Sequence, residues 1–332
     1  MSQTERPERS FPSRREFIAL GIGAFVVVTV PGALGRRRRL VRRSLPIMGT
    51  VADFAVAYRD ERYAQAAIDA AIAELRFVDR TMTRFSVDSD VGRANLAAAS
   101  VAVTISAETA LVLEEALRWA EASGGAFDPC LGRALVLWDF GHRSAPPAGD
   151  EVRQLAGRHL YTALELGSRG AAPVVLLQDD AAAIDLGGIA KGYAVDRAVD
   201  ALRSYGIYNA VVNVGGDLYA LGVSEDGDPW KIGIRDPDDP DGIIDTIEAS
   251  DRAVATSGDY IQYFTHKGRR FHHMMDPKTG EPRRSRMRSV TVTAESCMAA
   301  DAAGTAVFGA ASAEAARVLR AGARGARIVH SV

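Results

Sequence analysis

The stretch NAVVNVGGDLYALG, residues 209–222, constrains the fold more than any other part of the chain. Two apolar runs meet at Gly215 and Gly216, so the segment reads as a strand pair or as one strand broken by the glycines. Either way the chain contains a sheet, and a sheet needs other elements to cover it.

Those elements can be read on both sides. TVADFAVAY, residues 50–58, alternates as a strand does. Residues 63–78 carry Ala67, Ala71, Leu75 and Val78 at helical spacing. VAVTIS, residues 101–106, is a short strand, and Ser106 with Glu108 opens a helix that Gly124 and Gly125 end. PVVLL, WKIGIRDP, GIIDTIEAS and RSVTVTAES add strands. Residues 192–202 and a run starting near Met298 add helices, with AEAARVLRA behind. There are no repeats, and residues 144–149 form an excursion rather than a linker. The expected fold is α+β, with mixed or antiparallel sheets and packed helices in one domain spanning residues 44–332.

The first 43 residues are set apart from that domain. Arg14 and Arg15 precede Phe17 and a moderately apolar run, as in a twin-arginine export signal. RRRRLVRR follows at residues 36–43 with no clean A-x-A site before it. Residues 17–34 are at the short edge of a spanning helix, so the segment is either cleaved or kept as an N-terminal membrane anchor. The expected location is extracytoplasmic. The chain has 40 Lys+Arg against 42 Asp+Glu, which argues against a general nucleic-acid binder. Cys130 and Cys297 are too few for a metal site alone and read as small buried hydrophobes; a bridge between them is left open.

Chemistry-bearing residues concentrate in a few short segments. DLGGIAKGYAVD, residues 185–196, joins Asp185, Gly187, Gly188 and Lys191, but Lys191 does not follow a glycine as a Walker A lysine does. Its glycines allow positive φ or close backbone approach, and Lys191 offers a compact charge to a phosphate. In GRRFHHMMDPKTGEP, His272 and His273 point to opposite faces, and one of them with Asp276 makes a candidate general-base pair. Asp301 and Thr305 stand four apart at a helix start, which stacks two hard oxygens suited to Mg²⁺. NVGGD and ATSGD place Gly215, Gly216 and Ser257 at strand ends, where backbone donors fit an anionic or heterocyclic ligand. Taken singly, each segment is also explained by ordinary turns and caps.

Together and in order, these segments closely resemble the ApbE-type flavin transferases, the FAD:protein FMN transferases. The match runs from IMGT through MTRFSVDSDVGRAN, GGAFDPCLGRALVLWDFG, IDLGGIAKGYAVDRAV and NAVVNVGGDLYALG. It continues through WKIGIRDP, VATSGDY and FHHMMDPKTGEP to the Asp301/Thr305 helix. The resemblance implies an FAD cleft between two halves of a single domain, Mg²⁺, and transfer of the FMN half of FAD to a Thr or Ser hydroxyl of a target flavoprotein, releasing AMP. It implies flavin-nucleotide contacts from Met48, Trp138, Asp139, Phe140, Asp185, Lys191 and Met275, with Gly215, Gly216 and Ser257 on the floor. It implies metal ligation by the Gly188 carbonyl, Asp301 and Thr305. A side chain at 188 is then expected to matter less than where its carbonyl sits. Asp276, helped by His273, is the expected activator of the incoming hydroxyl. The target is expected to be membrane-associated, with no nucleic-acid partner. Two other readings use the same cleft: an FAD pyrophosphatase giving FMN and AMP, and a non-catalytic flavin carrier.

Overall fold

The computed structural model describes residues 25–27, 39–239, 241–323 and 325–332. Its centre is a seven-stranded sheet of β1 (Arg39–Ile47), β2 (Thr50–Tyr58), β3 (Ala210–Val214), β4 (Asp217–Leu221), β5 (Arg252–Gly258), β6 (Ser289–Ala294) and β7 (Arg327–Ser331). Their order across the sheet is their order along the chain, and every neighbouring pair is antiparallel. The sheet is therefore a meander, and helices and smaller sheets enter as insertions between its strands.

Gly215 (φ 63°) and Gly216 (φ 101°) resolve the 209–222 stretch as a hairpin rather than a broken strand. Both central residues have positive φ, which matches the twist of the flanking strands. Both faces of this hairpin are covered, so its pattern is continuously apolar instead of alternating. Ala210, Val212 and Val214 join the larger core, whereas Val211, Leu218 and Ala220 join a second cluster around Trp230, Ile232 and Ile234. Each such Val or Leu contributes about 1.5–3 kcal/mol by its burial.

On the first face lie α1 (Glu61–Met82), α2 (Ala107–Ala122), α3 (Ala190–Ser204), α4 (Cys297–Val307) and α5 (Ser312–Gly322). Asp60 caps α1 by accepting from the Tyr63 N–H at 3.0 Å, and Ala67, Ala71, Leu75 and Val78 are all buried as their spacing requires. Ser106 caps α2 in the same way, accepting from the Thr109 N–H at 3.2 Å. α3 packs between α1 and α4, and α4 lies on β5 and β6. On the second face a small sheet, Phe25–Val27, Trp230–Arg235 and Ile243–Ala249, covers the hairpin.

Two boundaries differ from the sequence reading. VAVTIS yields only the two-residue strand Val103–Thr104. The main sheet starts at Arg39, ahead of the boundary expected at 44, because alternate residues of the basic tract suit an edge strand. Val41 turns inward while Arg39 and Arg43 reach Glu61 (3.5 Å) and Asp69 (2.5 Å) on α1. The twin-arginine motif and most of the apolar run lie outside the described residues, apart from the strand Phe25–Val27. Among the described residues no helix is long and apolar enough to cross a membrane.

Candidate functional site

Two tight hairpin turns lie side by side at one end of the main sheet. Met48 (φ 52°) and Gly49 (φ 69°) join β1 to β2, and Gly215 with Gly216 joins β3 to β4. Because β2 pairs with β3, the Gly215 N–H reaches the Val51 carbonyl at 3.1 Å. A Cβ on Gly215 would fall 2.7 Å from Thr50 Oγ1, so the approach of the two turns requires glycine. The end of β5 joins them, with the Thr256 N–H donating to the Gly216 carbonyl at 3.2 Å. α4 closes over this end, and its Gly304 lies directly against Ser257.

The segment after Ile184 completes the wall. Asp185 holds the Arg84 guanidinium at 2.5 Å and accepts from the Gly187 N–H at 2.9 Å. Neither Gly187 nor Gly188 has positive φ, so close approach is what requires a glycine at 188. A Cβ there would fall 2.9 Å from Thr305 Oγ1 and 3.4 Å from the Phe127 ring, so a side chain at 188 would press on Thr305 whatever its carbonyl does.

Lys191, in the first turn of α3, is the centre of the site. Its Nζ donates to the Gly187 carbonyl at 2.8 Å and lies 2.9 Å from Asp217 Oδ2 and 3.3 Å from Asp301 Oδ2. The Gly192 N–H donates to Asp301 Oδ2 at 3.0 Å. Burial pushes the Asp217 carboxyl up to about 7, with the Asp301 charge adding to it and Lys191 opposing. Burial raises Asp301 as well, against the pull of Lys191. For Lys191, burial favours the neutral amine, but the two carboxylates outweigh it and hold the ammonium.

Two buried carboxylates thus face one ammonium, and Asp217 Oδ2 is buried without an aligned hydrogen bond despite its nearness to Nζ. That excess of negative charge fits a hard cation beside Lys191. The available donors are the Asp301 carboxylate, the Thr305 hydroxyl one turn later, and the carbonyl of Gly188, a residue whose Cα side lies against Thr305. Among the described residues no group of three His, Cys, Asp or Glu could hold a metal unaided. Ligand phosphates and water would have to complete such a shell, as is usual for Mg²⁺.

His272 ends one hairpin, Tyr263–His266 with Arg269–His272, and His273 leads into a second, Met275–Asp276 with Glu281–Pro282; the two histidines do diverge. His272 Nε2 contacts the Arg283 carbonyl at 3.1 Å, and its ring meets Phe308 edge-on at 5.8 Å. His273 Nδ1 contacts the Gln262 carbonyl at 3.4 Å, which makes Nδ1 the protonated nitrogen and leaves Nε2 an acceptor. Burial pushes His273 down to about 4, and the Lys191 charge pushes the same way. Asp276 is used locally, accepting from the Lys278 N–H at 2.9 Å in a turn. Among the described residues no hydrogen bond joins Asp276 to His273, so the expected acid–base pair is not brought together. Met275 is buried beside them, paired with Pro282.

The 138–140 segment supports these hairpins from behind. Trp138 is wholly buried, donates Nε1–H to the Gly280 carbonyl at 2.8 Å, and stacks with Phe140 at 6.0 Å and Phe271 at 5.6 Å. Asp139 takes a left-handed conformation (φ 38°) and contacts His142 at 2.8 Å. A groove of about 620 Å³ lies at the C-terminal end of α1, lined by Asp79, Thr83, Ser86 and Asp88. None of the Lys191 cluster lines it, and Asp79 on its wall is hydrogen-bonded to the Met48 backbone.

Sequence reading missed four residues that build the site: Arg84, Asp196, Asp217 and Arg283. Asp196, on α3, accepts from the N–H groups of Cys297 (2.7 Å) and Met298 (2.9 Å) and so caps α4 from outside it; burial pushes it up to about 6. Asp217 ends the VGGD string, the one signal available for it. Cys130 and Cys297 are buried free thiols, as expected of small hydrophobes.

Comparison with known proteins agrees with the fold. A sequence model of the ApbE family matches residues 48–328. The FAD:protein FMN transferase of Vibrio cholerae is 35% identical over 274 residues, covering 80% of each chain. The corresponding Treponema pallidum protein is 32% identical over 307 residues, covering 87% of this chain and 84% of its own. Among solved structures, the ApbE protein of Thermotoga maritima superposes with a TM-score of 0.76 at 32% identity, covering 88% of this chain and 94% of that one. The flavin transferase ApbE of Vibrio cholerae superposes with a TM-score of 0.73 at 32% identity, covering 85% and 90%.

Proposed function

The chain belongs to the ApbE family and is an FAD:protein FMN transferase acting on a target flavoprotein, and from that premise we propose how its own residues perform the transfer. The acceptor is a Thr or Ser hydroxyl of the target. Its oxygen attacks the phosphorus on the FMN side of the FAD diphosphate, the bond between the two phosphates breaks, and AMP leaves. The hydroxyl proton passes to a base on the enzyme.

The Lys191–Asp217–Asp301 cluster carries this reading. Asp301, Thr305 and the Gly188 carbonyl would hold Mg²⁺, which supplies neutralisation of the diphosphate charge. Lys191, kept as an ammonium by its two carboxylates, binds a phosphate oxygen. The adjacent turns at Met48 and at Gly215 and Gly216, with Ser257, bring backbone close to the nucleotide. Asp185 orders the loop before Lys191 through its Arg84 pair and its Gly187 contact.

His273 takes the proton at Nε2. Its neutral form, held by burial, and the Nδ1 contact to Gln262 favour it over Asp276, whose carboxylate serves the turn. Trp138, Asp139 and Phe140 act by fixing the hairpin that carries His273 and Met275. A twin-arginine signal would deliver the enzyme across the membrane, where a membrane-associated target would meet it. Export is tested by fractionating cells that express the chain with Arg14 and Arg15 intact or replaced by Lys.

The activity test incubates the protein with FAD, Mg²⁺ and a candidate acceptor flavoprotein. Flavin fluorescence that stays with the denatured acceptor supports transfer. FMN released without an adduct indicates a pyrophosphatase, and bound FAD with neither product indicates a carrier.

A further inference from the structure

Arg283 carries a guanidinium turned inward, and no carboxylate among the described residues lies within ion-pair distance of it. It donates instead to backbone carbonyls on three separate elements. Nε–H meets the Met275 carbonyl at 2.9 Å, and Nη1 meets the carbonyls of Thr305 at 3.0 Å and Phe308 at 2.6 Å. Nη2 donates to the Ala126 carbonyl. The main chain of Arg283 is tied to the same hairpin: its N–H donates to the Met274 carbonyl at 2.8 Å and its carbonyl contacts His272 Nε2 at 3.1 Å.

The partners explain why a cation is tolerated there. Thr305 and Phe308 belong to the last turn and cap of α4, where carbonyls lack helical partners and the dipole is negative. Burial pushes the guanidinium down to about 10, with only the more distant Asp276 carboxylate opposing. The other end of α4 is fixed by Ser296 and Asp196. A surface arginine would leave α4 and the histidine hairpin free to adjust independently, but this one joins them.

We propose that Arg283 is a positioning residue for flavin transfer, a carbonyl clamp that sets the spacing between the helix bearing Asp301 and Thr305 and the hairpin bearing His273. The proposal rests on the transferase reading above. A planar fork with donors on three nitrogens can span three elements at once, and a lysine ammonium of equal charge cannot. Reacting groups misplaced by about 1 Å lose roughly 100-fold in rate.

The test compares the full chain with Arg283→Lys and Arg283→Met. Folding is followed by thermal melting, FAD stoichiometry by titration, Mn²⁺ binding by electron paramagnetic resonance, and transfer by single-turnover rate per bound FAD. Expected for Arg283→Lys is one FAD per chain at near-parental affinity, weaker Mn²⁺ binding, and transfer per bound FAD lower by roughly 100-fold. Arg283→Met should be worse in both binding and transfer. A transfer rate per bound FAD within about threefold of the parent, or a loss matching only the fraction unfolded, overturns the clamp. A parent that binds FAD but transfers nothing defeats the transferase reading instead. Should neither variant fold, the parent's Arg283 Nε–H is read by NMR. Adding Mg²⁺ and FAD should slow its exchange with water, because α4 and the hairpin then tighten on one clamp; unchanged exchange overturns the proposal.

Discussion

Lys191 Nζ stands 3.3 Å from Asp301 Oδ2, although 110 residues separate them in the chain. Their meeting depends on Gly192, because a Cβ there would fall 2.3 Å from the Cys297 carbonyl. One glycine therefore lets α3 and α4 approach closely enough to build a charged cluster with Asp217.

Removing the ammonium should expose what the cluster costs. Lys191→Met leaves Asp217 and Asp301 facing each other in a buried place, a loss of about 3–5 kcal/mol at pH 8. Asp217 is held near 7 when folded, above the ordinary carboxylate value of 3.8. Its contribution to stability is full below 3.8 and is lost as pH rises through 7. The variant should consequently be less impaired at pH 5.5 than at pH 8. Urea unfolding at both values checks this, and a deficit that does not change with pH contradicts it.

Gly188→Ala should push Thr305 away. The added methyl meets Thr305 Oγ1 at 2.9 Å, so the hydroxyl or the loop must shift. The Mg²⁺ concentration for half-maximal transfer is expected to rise about tenfold or more, about 1.4 kcal/mol, while the fold persists. A Mg²⁺ titration of transfer rate, with melting as control, decides it.

His273→Gln should lower transfer by about 100- to 10,000-fold with FAD still bound, the range for loss of a general base. Asp276→Asn retains a side-chain oxygen for the Lys278 N–H and should cost little. With His273 held at about 4, its basic form persists well below the ordinary histidine range. In Asp217→Asn, which removes the carboxyl held near 7, any remaining rate should then stay level from pH 8 to near 5. An acid limb centred near 6.5 sinks this assignment.

Asp196→Asn tests the external cap on α4. The folded carboxyl is pushed up to about 6 from the ordinary 3.8, so its contribution is full below 3.8 and is lost as pH rises through 6. The parent's advantage over the variant should be larger at pH 4.5 than at pH 7.5 in chemical denaturation. Equal gaps at both pH values would show that Asp196 stays charged throughout.

Local pattern carried much of this architecture. The strand at 50–58 and the cap at Ser106 follow from period and side-chain chemistry over a few residues. The choice between strand pair and broken strand at Gly215 could not be made locally, because both faces of that hairpin are buried. The order of the sheet was also hidden, since it depends on insertions as long as residues 59–209 closing back on β2. At the site, the spacing of Asp301 and Thr305 was readable in the sequence, whereas Gly188 joined them only through the family resemblance. Arg283 was not, because its partners are carbonyls, which have no residue identity. The pairing of His273 with Asp276 failed because Asp-Pro-Lys turn chemistry engages the carboxylate first.

The most direct test of transfer is intact-mass analysis of a purified acceptor flavoprotein after incubation with this protein, FAD and Mg²⁺, with AMP measured in the same tube. Expected are an acceptor heavier by one covalently attached FMN, one AMP per adduct, and loss of both with Asp301→Asn. AMP and free FMN accumulating while the acceptor mass stays unchanged would contradict it.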